Sequence, residues 1–296
     1  MKLSVVINTW NEEANIGHCI ASIAAIADEI VVVDMESTDG TQNMVRKLGA
    51  VVYTHPQTSY VEPARNFAIS KATGDWIFLL DADEEISAKL ASFIEKTIEN
   101  SGEKSFYRIP RKNISFGAWI RYGMWWPDYQ IRLFKKGTVE WNEMIHSVPV
   151  THGIGGDFEA SEEHAIIHHN YQSVSQFLDR MNRYTTQQAN DQYKKESFVW
   201  TSILQRPFSE FVRRFFLAEG YKDGLHGLSL SLLQSVSELV VILKMWEKHK
   251  FLEVSEKTIH KEFYPQVARQ EKEFYHWLIK KKFTSGILSK LHSLLS

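Results

Sequence analysis

Cysteine is almost absent from the sequence, whose 296 residues include one, Cys19. A single cysteine cannot form an intramolecular disulfide, so a disulfide-stapled secreted scaffold is excluded and a reducing, cytoplasmic location is expected. Long apolar runs are missing too: no stretch of about 18 or more uncharged apolar residues occurs, which disfavours a membrane-spanning helix. The hydrophobic fraction of 44% is still sufficient for a sizeable core, so extensive disorder is not expected.

Glycine-rich phosphate loops are also lacking. The segment after the first predicted strand reads NTWNEEANIG and has no Gly-x-Gly-x-x-Gly, and the Gly-x-x-x-x-Gly-Lys of P-loop proteins does not occur. These absences disfavour a nicotinamide-dependent dehydrogenase and a P-loop nucleotidase.

A large excess of one charge is absent from the whole chain, but the charges are unevenly distributed. Residues 1–193 carry 17 Lys and Arg against 25 Asp and Glu, whereas residues 194–296 carry 17 against 11. The basic C-terminal third is compatible with an anionic partner surface, but the preferred interpretation of this charge is a solvated helical surface.

Short β-branched runs alternate with helical segments in the first 85 residues. This order predicts an α/β fold with a Rossmann-like, doubly wound, mostly parallel sheet. The four predicted strands are LSVVIN, EIVVVD, AVVYT and DWIFLLDAD. Ligands of such sheets bind beyond the carboxyl ends of the strands, so the residues that end these strands are candidates for a binding site.

The rest of the chain changes character twice. Residues 105–150 are rich in aromatic residues and contain strand-like pieces, and from about residue 172 onward the apolar residues recur at helical spacing. We therefore predict a nucleotide-binding catalytic domain over residues 1–193 and a helical C-terminal extension over residues 194–296.

The stretch FLLDADEE places acids directly after the fourth predicted strand. Asp81 and Asp83 are two residues apart, and on a strand alternate side chains share a face, so the two carboxylates could converge on one cation. Oxygen ligands of this kind suit Mg²⁺ or Mn²⁺ bound to a substrate phosphate. In the alternative interpretation Asp83 caps the next helix, while Glu84 and Glu85 interact with its positive end.

Several segments together resemble glycosyltransferase family 2, and more narrowly its branch of bacterial lipopolysaccharide core β-glucosyltransferases. They are SVVINTWNEEANIGHCIASI, ADEIVVVDMESTDGT, EPARNFAISKATGDWIFLLDADEEI and WWPDYQIRLFKKG. The resemblance extends from residue 1 to about residue 245. It implies a GT-A fold and an inverting, metal-dependent glycosyl transfer from a nucleotide sugar. We therefore predict transfer of a hexose from a nucleoside-diphosphate sugar, expected to be UDP-linked, to a cell-surface glycan or lipopolysaccharide-type acceptor.

The resemblance also implies a set of donor-site residues. Asp81 and Asp83 match the family's metal and diphosphate motif, with Asp83 as the direct ligand of Mg²⁺ or Mn²⁺. His168 matches a histidine that recurs in the family and is either a further metal ligand or a structural histidine. The residues that match donor-contacting positions are Thr9, Trp10, Asn11, Glu12, Asp34 and Arg65. A cation and an arginine would neutralise the diphosphate leaving group.

Inversion requires a general base, and Asp128 matches the position where the family commonly has that carboxylate. Relatives often carry a His-Glu pair farther along, and here the second residue of the pair is Ser147, so Glu143 and Glu140 are the fallback candidates. Arg132 is expected to contact phosphate or to orient Asp128.

Two further features have open interpretations. Trp125 and Trp126 could stack on sugar faces or pack in the core. Met35 replaces the second acid that often follows the position of Asp34, which changes the expected nucleobase contact.

The helical region also raises the question of a membrane partner. For the apolar segment Leu228–Trp246 we predict packing against the catalytic domain or a partner. For the basic, amphipathic end of the chain we predict contact with an anionic membrane, because the implied acceptor is a lipid-linked glycan. The expected location is thus cytoplasmic, peripheral on the inner face of the membrane.

Two alternatives to a glycosyltransferase remain. One is a sugar nucleotidyltransferase, although the segment NTWNEE lacks the Gly-rich, basic phosphate loop that such enzymes usually have. The other is a non-catalytic module that binds a sugar nucleotide or a membrane. Nucleic-acid binding has no support, because the predicted ligand-binding edge is acidic.

Overall fold

The structure, a computed structural model, describes residues 1–58, 61–141 and 149–283. The elements up to residue 171 are β1 (Leu3–Thr9), α1 (Ile16–Ile23), β2 (Glu29–Asp34), α2 (Thr41–Lys47), β3 (Val51–Thr54), α3 (Glu62–Lys71), β4 (Trp76–Asp81), β5 (Glu84–Glu85), α4 (Ala88–Glu99), β6 (Lys104–Ser115), β7 (Ala118–Trp119), β8 (Asp128–Lys135), β9 (Val139–Glu140), β10 (Val150–Thr151), β11 (Ile154–Asp157) and β12 (Ile166–Tyr171).

The later elements are helical. They are α5 (Val174–Tyr193), α6 (Ser202–Val212), a π-helical segment (Arg213–Leu217), a 3₁₀ segment (Gly220–Asp223), α7 (Gly224–Lys248) and α8 (Glu256–Lys280).

The main sheet has the strand order β3-β2-β1-β4-β8-β6-β12-β5. Strands β1 to β4 are parallel to one another, as the sequence predicted. Strand β8 then runs antiparallel to both β4 and β6, and β12 is parallel to β6. The α/β prediction with a mostly parallel sheet is confirmed, and the strands after α4 extend this sheet in mixed directions.

Two apolar layers cover the sheet. Every residue of β1 is buried, as expected for a central strand covered on both faces. One layer joins the sheet to α1, α2 and α4 through residues such as Ile20 and Ile94, and the other joins it to α3 through residues such as Ala68. The two layers fix the carboxyl ends of the strands at one edge of the sheet.

Strand register places the predicted site residues beside one another. Thr9 pairs with Asp34 across β1 and β2, and Asn8 pairs with Asp81 across β1 and β4. In the added strands, Arg111 of β6 pairs with Asp128 of β8.

The chain divides into two compact units. The first comprises Met1–Arg121 with Trp125–Val174, and the second comprises Tyr122–Met124 with the chain from Ser175 onward. We predicted the domain boundary after residue 193, but α5, which lies before that point, belongs to the second unit because its apolar residues pack with the later helices: Ala189 clusters with residues of α7.

Helix α7 has two different faces. Its buried residues include Leu230 and Val241, and Glu238 accepts hydrogen bonds from Arg206 of α6. Four apolar side chains on the opposite face are exposed, namely Leu225, Leu232, Val236 and Leu243. By length and composition alone, the segment Gly220–Lys248 could cross a membrane, although many helices of soluble proteins also meet this criterion.

Candidate active site

Asp81, the last residue of β4, is bound by two arginines. Its Oδ1 accepts a hydrogen bond from Arg65 Nη2 of α3 at 2.9 Å, and its Oδ2 accepts one from Arg132 Nη2 of β8 at 2.5 Å. Burial alone would raise the pKa of this carboxyl, but the charges of Arg132 and Arg65 outweigh burial and hold the pKa far below its usual range. Asp81 is therefore ionised, and both of its oxygens are engaged by arginines.

Asp83 and His168 form a pair that fits a divalent cation. Asp83 lies in the turn after β4, and its Oδ2 is 3.6 Å from Nε2 of His168 on β12. The backbone N–H of His169 donates to the carbonyl of Asp83 at 2.9 Å, which ties the turn to β12. Both side chains of the pair are largely buried. A carboxylate oxygen and an imidazole nitrogen are acceptable ligands for a metal that completes its shell with diphosphate oxygens and water.

Asp81 does not share this arrangement with Asp83, although the sequence placed both on one strand face. Strand β4 ends at Asp81, so the alternation of side chains stops before Asp83. Among the residues that the structure describes, no three His, Cys, Asp or Glu side chains form a group that could hold a metal ion. The protein would thus contribute Asp83 and His168, and the substrate would contribute the remaining ligands.

Glu84 belongs to the charge network of the site. Its side chain is fully buried, and its Oε1 accepts hydrogen bonds from Arg132 Nη2 at 2.6 Å and from Arg111 Nη1 at 3.3 Å. Its Oε2 accepts one from the backbone N–H of Asp81 at 2.9 Å. Glu84 therefore connects Arg132, which binds Asp81, with Arg111, which binds Asp128.

The alternative role of these acids at the start of the next helix is wrong for Glu84. The side chain of Ser87 caps α4 by accepting a hydrogen bond from the backbone N–H of Leu90. Glu85 is also engaged elsewhere, because its Oε1 lies 3.0 Å from Nε2 of His169.

Asp128, the predicted base, is clamped by polar neighbours. Its Oδ2 accepts hydrogen bonds from Nε and Nη2 of Arg111, at 2.9 and 2.5 Å, and from Nδ2 of Asn113 at 3.2 Å. Its Oδ1 accepts one from Nε2 of Gln130 at 2.8 Å. Burial acts to raise the pKa of Asp128, but Arg111 and these hydrogen bonds outweigh burial and lower the pKa below the usual value. Asp128 is ionised at neutral pH, and Oδ1 has the fewer donors.

Unpartnered buried atoms mark the ends of β1 and β2. Asp34 Oδ2 accepts hydrogen bonds from the backbone N–H of Ser37 and from Gln42, whereas Asp34 Oδ1 is buried without a hydrogen-bond partner among the described residues. The same holds for Thr9 Oγ1 and for Nε of Arg65. Buried polar groups are rarely left unpaired in proteins, so these buried atoms are candidates for contact with a bound ligand.

The first-strand loop is bonded to the second-strand loop. Asn11 donates from its backbone N–H to Ser37 Oγ, and its Oδ1 accepts from the backbone N–H of Thr38 at 2.8 Å. Glu12 accepts a hydrogen bond from the side chain of Asn15 at 2.6 Å. The structure thus assigns structural contacts to Asn11 and Glu12, and Trp10 is half-buried in the same loop.

The aromatic and fallback residues have different environments. Trp126 packs edge-on against Trp119, with ring centroids 5.3 Å apart, and Trp125 packs edge-on against Tyr171. Both tryptophans are partly accessible. Glu140 is exposed on the short strand β9, whereas Glu143 and Ser147 lie outside the described residues.

Arg111 and Asn113 are functional candidates that the sequence analysis missed. They are two residues apart on β6, so their side chains share the face that holds Asp128. A usable signal was present, since RIPRKNIS places a cation and an amide two residues apart within the region that contains strand-like pieces.

Comparison of the sequence with known proteins identifies the family of the chain. A sequence model described as glycosyl transferase family 2 matches residues 4–164, more than half of the chain. The chain belongs to glycosyl transferase family 2. It is an α/β, GT-A-type glycosyltransferase with a helical C-terminal region, and this membership decides against the nucleotidyltransferase and the non-catalytic alternatives.

Full-length relatives of this family-2 enzyme are named glycosyltransferases. An uncharacterized glycosyltransferase of Rickettsia typhi is 29% identical over 83% of this chain and 87% of its own length. The lipopolysaccharide core biosynthesis glycosyltransferase LpsC of Rhizobium meliloti is 26% identical over 84% of this chain and 93% of its own length. These matches agree with the predicted lipopolysaccharide branch.

Solved structures also match parts of the chain. One is glucosyl-3-phosphoglycerate synthase from Mycobacterium tuberculosis, determined with Mn²⁺, UDP-glucose and phosphoglyceric acid. It matches with a TM-score of 0.32 and 23% identity, over 36% of this chain and 42% of the synthase.

Proposed function

We propose that this family-2 glycosyltransferase transfers a hexose, with inversion, from a UDP-linked or other nucleoside-diphosphate sugar to a cell-surface glycan or lipopolysaccharide-type acceptor. The observation that carries the proposal is the arrangement of Asp83 with His168 at the sheet edge that also holds the ionised, arginine-clamped Asp128. The name of the Rhizobium relative supports an acceptor of the lipopolysaccharide core.

Donor binding is supported by the unpartnered atoms at the ends of β1 and β2. Asp34 Oδ1 and Thr9 Oγ1 can accept hydrogen bonds from the nucleoside, and Nε of Arg65 can donate one to a phosphate oxygen. Arg65 and Arg132 pair with Asp81, and Arg132 also pairs with Glu84, so the two arginines of this network are balanced by two carboxylates.

A divalent cation fits the residues present. Asp83 and His168 would hold Mg²⁺ or Mn²⁺, and the ion, when bound, neutralises charge on the diphosphate leaving group. The other residues act around this group: Asp81 holds Arg65 and Arg132 in place, and Glu84 holds Arg132 from its other side.

Asp128 is the proposed base. Among the described residues, three hydrogen bonds reach its Oδ2, whereas Oδ1 accepts one, from Gln130, and retains a lone pair for the acceptor hydroxyl. As the acceptor oxygen bonds to the anomeric carbon, its proton passes to Oδ1 and the bond from that carbon to the diphosphate breaks. Attack on the face opposite the leaving group inverts the anomeric configuration.

A peripheral location on the cytoplasmic side of the membrane is part of the proposal. The exposed apolar residues of α7 (Leu225, Leu232, Val236 and Leu243) form a stripe without charged members, and such a face can lie in the interface of a bilayer. This support comes from α7, which we expected to be covered by protein; the basic end of the chain from residue 284 lies outside the described residues.

The test is a donor panel with purified protein, read as diphosphate release with and without Mn²⁺ and acceptor. We expect a UDP-sugar to be used, and the Asp83→Asn variant to lose about 10²- to 10³-fold in kcat while keeping its fold. The control is Asp157→Asn, which alters an exposed carboxylate bound to Arg108. Full activity of Asp83→Asn would overturn the proposed site.

A further inference from the structure

The geometry points to Asn113 as a positioning residue that sets the tautomer of the metal-binding histidine, His168, and the orientation of the base, Asp128. This inference rests on the proposed function. No family motif in the sequence marks Asn113, and its role follows from its place on β6, between the strand that carries the base and the strand that carries the histidine.

Strand pairing fixes Asn113 between the two groups. It is the register partner of His168 across β6 and β12, and it lies two residues beyond Arg111, the register partner of Asp128 across β6 and β8. Asn113 is 1% exposed, so its amide has no access to solvent that could replace these contacts.

The hydrogen bonds determine which way the amide points. Asn113 Nδ2 donates to the carbonyl of Trp125 at 2.9 Å and to Asp128 Oδ2 at 3.2 Å, and both partners can only accept. Rotating the amide would place Oδ1 against these two oxygens. The oxygen Oδ1 is therefore the atom that faces His168 Nδ1, at 2.6 Å.

This orientation sets the state of the imidazole. Because Oδ1 of Asn113 can only accept, Nδ1 of His168 carries a hydrogen, and in the neutral ring the lone pair is on Nε2. Nε2 is the atom that faces Asp83, 3.6 Å from its Oδ2. A second hydrogen bond of this kind orients metal-binding histidines and increases their affinity for the metal.

The same amide acts on the base. Its N–H completes the three donors on Asp128 Oδ2, which leaves Oδ1 as the oxygen that can take the proton of the acceptor. One side chain thus serves both groups, the histidine through its oxygen and the aspartate through its nitrogen.

Two substitutions separate these roles. Asn113→Asp keeps an oxygen toward His168 but replaces the donor to Asp128 with a carboxylate, whereas Asn113→Leu removes both hydrogen bonds at similar volume. Binding of Mn²⁺ would be measured by electron paramagnetic resonance with UDP present and no acceptor. Transfer would be measured as a kcat–pH profile. Asn100→Asp, at the exposed end of α4, is the matched control.

We expect Asn113→Leu to weaken Mn²⁺ binding about 10- to 100-fold and to lower kcat by a similar factor. Asn113→Asp should retain Mn²⁺ affinity within about threefold but transfer with a kcat lowered by about 10-fold or more. The acidic limb of its kcat profile should move to higher pH, because the new carboxylate opposes ionisation of Asp128.

The inference is overturned if Asn113→Leu binds Mn²⁺ normally, or if Asn113→Asp shows the wild-type pH profile. Should Asn113→Leu fail to fold, Asn113→Asp alone tests the inference. Its Mn²⁺ affinity should stay near that of the wild type while its kcat falls and its pH profile shifts. Absence of Mn²⁺-dependent transfer in the wild-type enzyme would instead reject the proposed function, so the two failures are distinguishable.

Discussion

The N-terminal unit buries charge, whereas the helical unit exposes apolar surface. In the first, Arg132 is 2% exposed and Glu84 is 1% exposed, yet each is held by oppositely charged partners. In the second, Leu225 of α7 is 75% exposed and Leu232 is 49% exposed. A buried charge network and a row of exposed apolar side chains both depart from the usual distribution of residue types, and such departures are often found at functional sites.

Buried charges and exposed apolar side chains affect the stability of the folded state differently. A buried ion requires complete pairing, because removing one partner leaves an uncompensated charge at low dielectric. An exposed leucine costs the folded state little, since much of its side chain is exposed in the unfolded chain as well. Substitutions should therefore change stability strongly at the sheet edge and weakly on the exposed face of α7.

The largest effect is expected for Arg132. Arg132→Leu leaves the fully buried Glu84 and the half-buried Asp81 without their shared partner, and we expect it to lower the free energy of unfolding by about 3–5 kcal/mol in urea titrations. Arg108→Leu is the matched control, because Arg108 pairs with Asp157 at the surface and such a pair contributes about 1 kcal/mol or less. Equal losses of unfolding free energy in the two variants would contradict the expected difference between a buried and a surface ion pair.

A decrease in pH is expected to have an intermediate effect on the free energy of unfolding, through protonation of Asp128. The pKa of Asp128 is lowered in the folded state, so its contribution to stability is complete above its unfolded pKa, about 3.9, and is lost as the pH falls through the folded pKa. The free energy of unfolding should therefore decrease below about pH 4, and less steeply in Asp128→Asn. Urea titrations between neutral pH and pH 3 measure this, and parallel pH dependences would show that Asp128 contributes nothing.

The smallest effect on stability is expected on α7. Leu232→Gln, on the exposed stripe, should change the free energy of unfolding by about 0.5 kcal/mol or less. Leu230→Ala, two residues away and buried, should cost about 2–5 kcal/mol. Co-sedimentation with anionic vesicles provides the second measurement, in which Leu232→Gln should bind less than wild type; unchanged vesicle binding would remove α7 from the proposed membrane contact.

Local patterns were sufficient to predict the parallel part of the sheet. The β-branched runs that became β1, β2 and β4 are buried on both faces, so their composition alone marks them as strands, and their last residues mark the site edge. Asp34, Asp81 and Asp128 were found in this way or by resemblance, and the structure places all three in polar networks of the first unit.

Pairing between distant residues could not be predicted. Asn113 and His168 are separated by 55 positions in the sequence, and Arg132 and Glu84 by 48. Their contacts depend on the order β4-β8-β6-β12, which no local pattern specifies. For the same reason Glu84 and Glu85 looked equivalent, although one is fully buried among arginines and the other faces a histidine.

The hydrogen bonds between the first-strand and second-strand loops bear on the energetics of donor binding at the site that we propose. Asn11 has a positive φ of 53°, and its side chain holds the backbone of Thr38, while Glu13 accepts a hydrogen bond from the backbone N–H of Gly40. Loops already fastened to each other lose little conformational freedom when a nucleotide arrives. The entropy of ordering these loops is thus lost during folding rather than at each catalytic cycle.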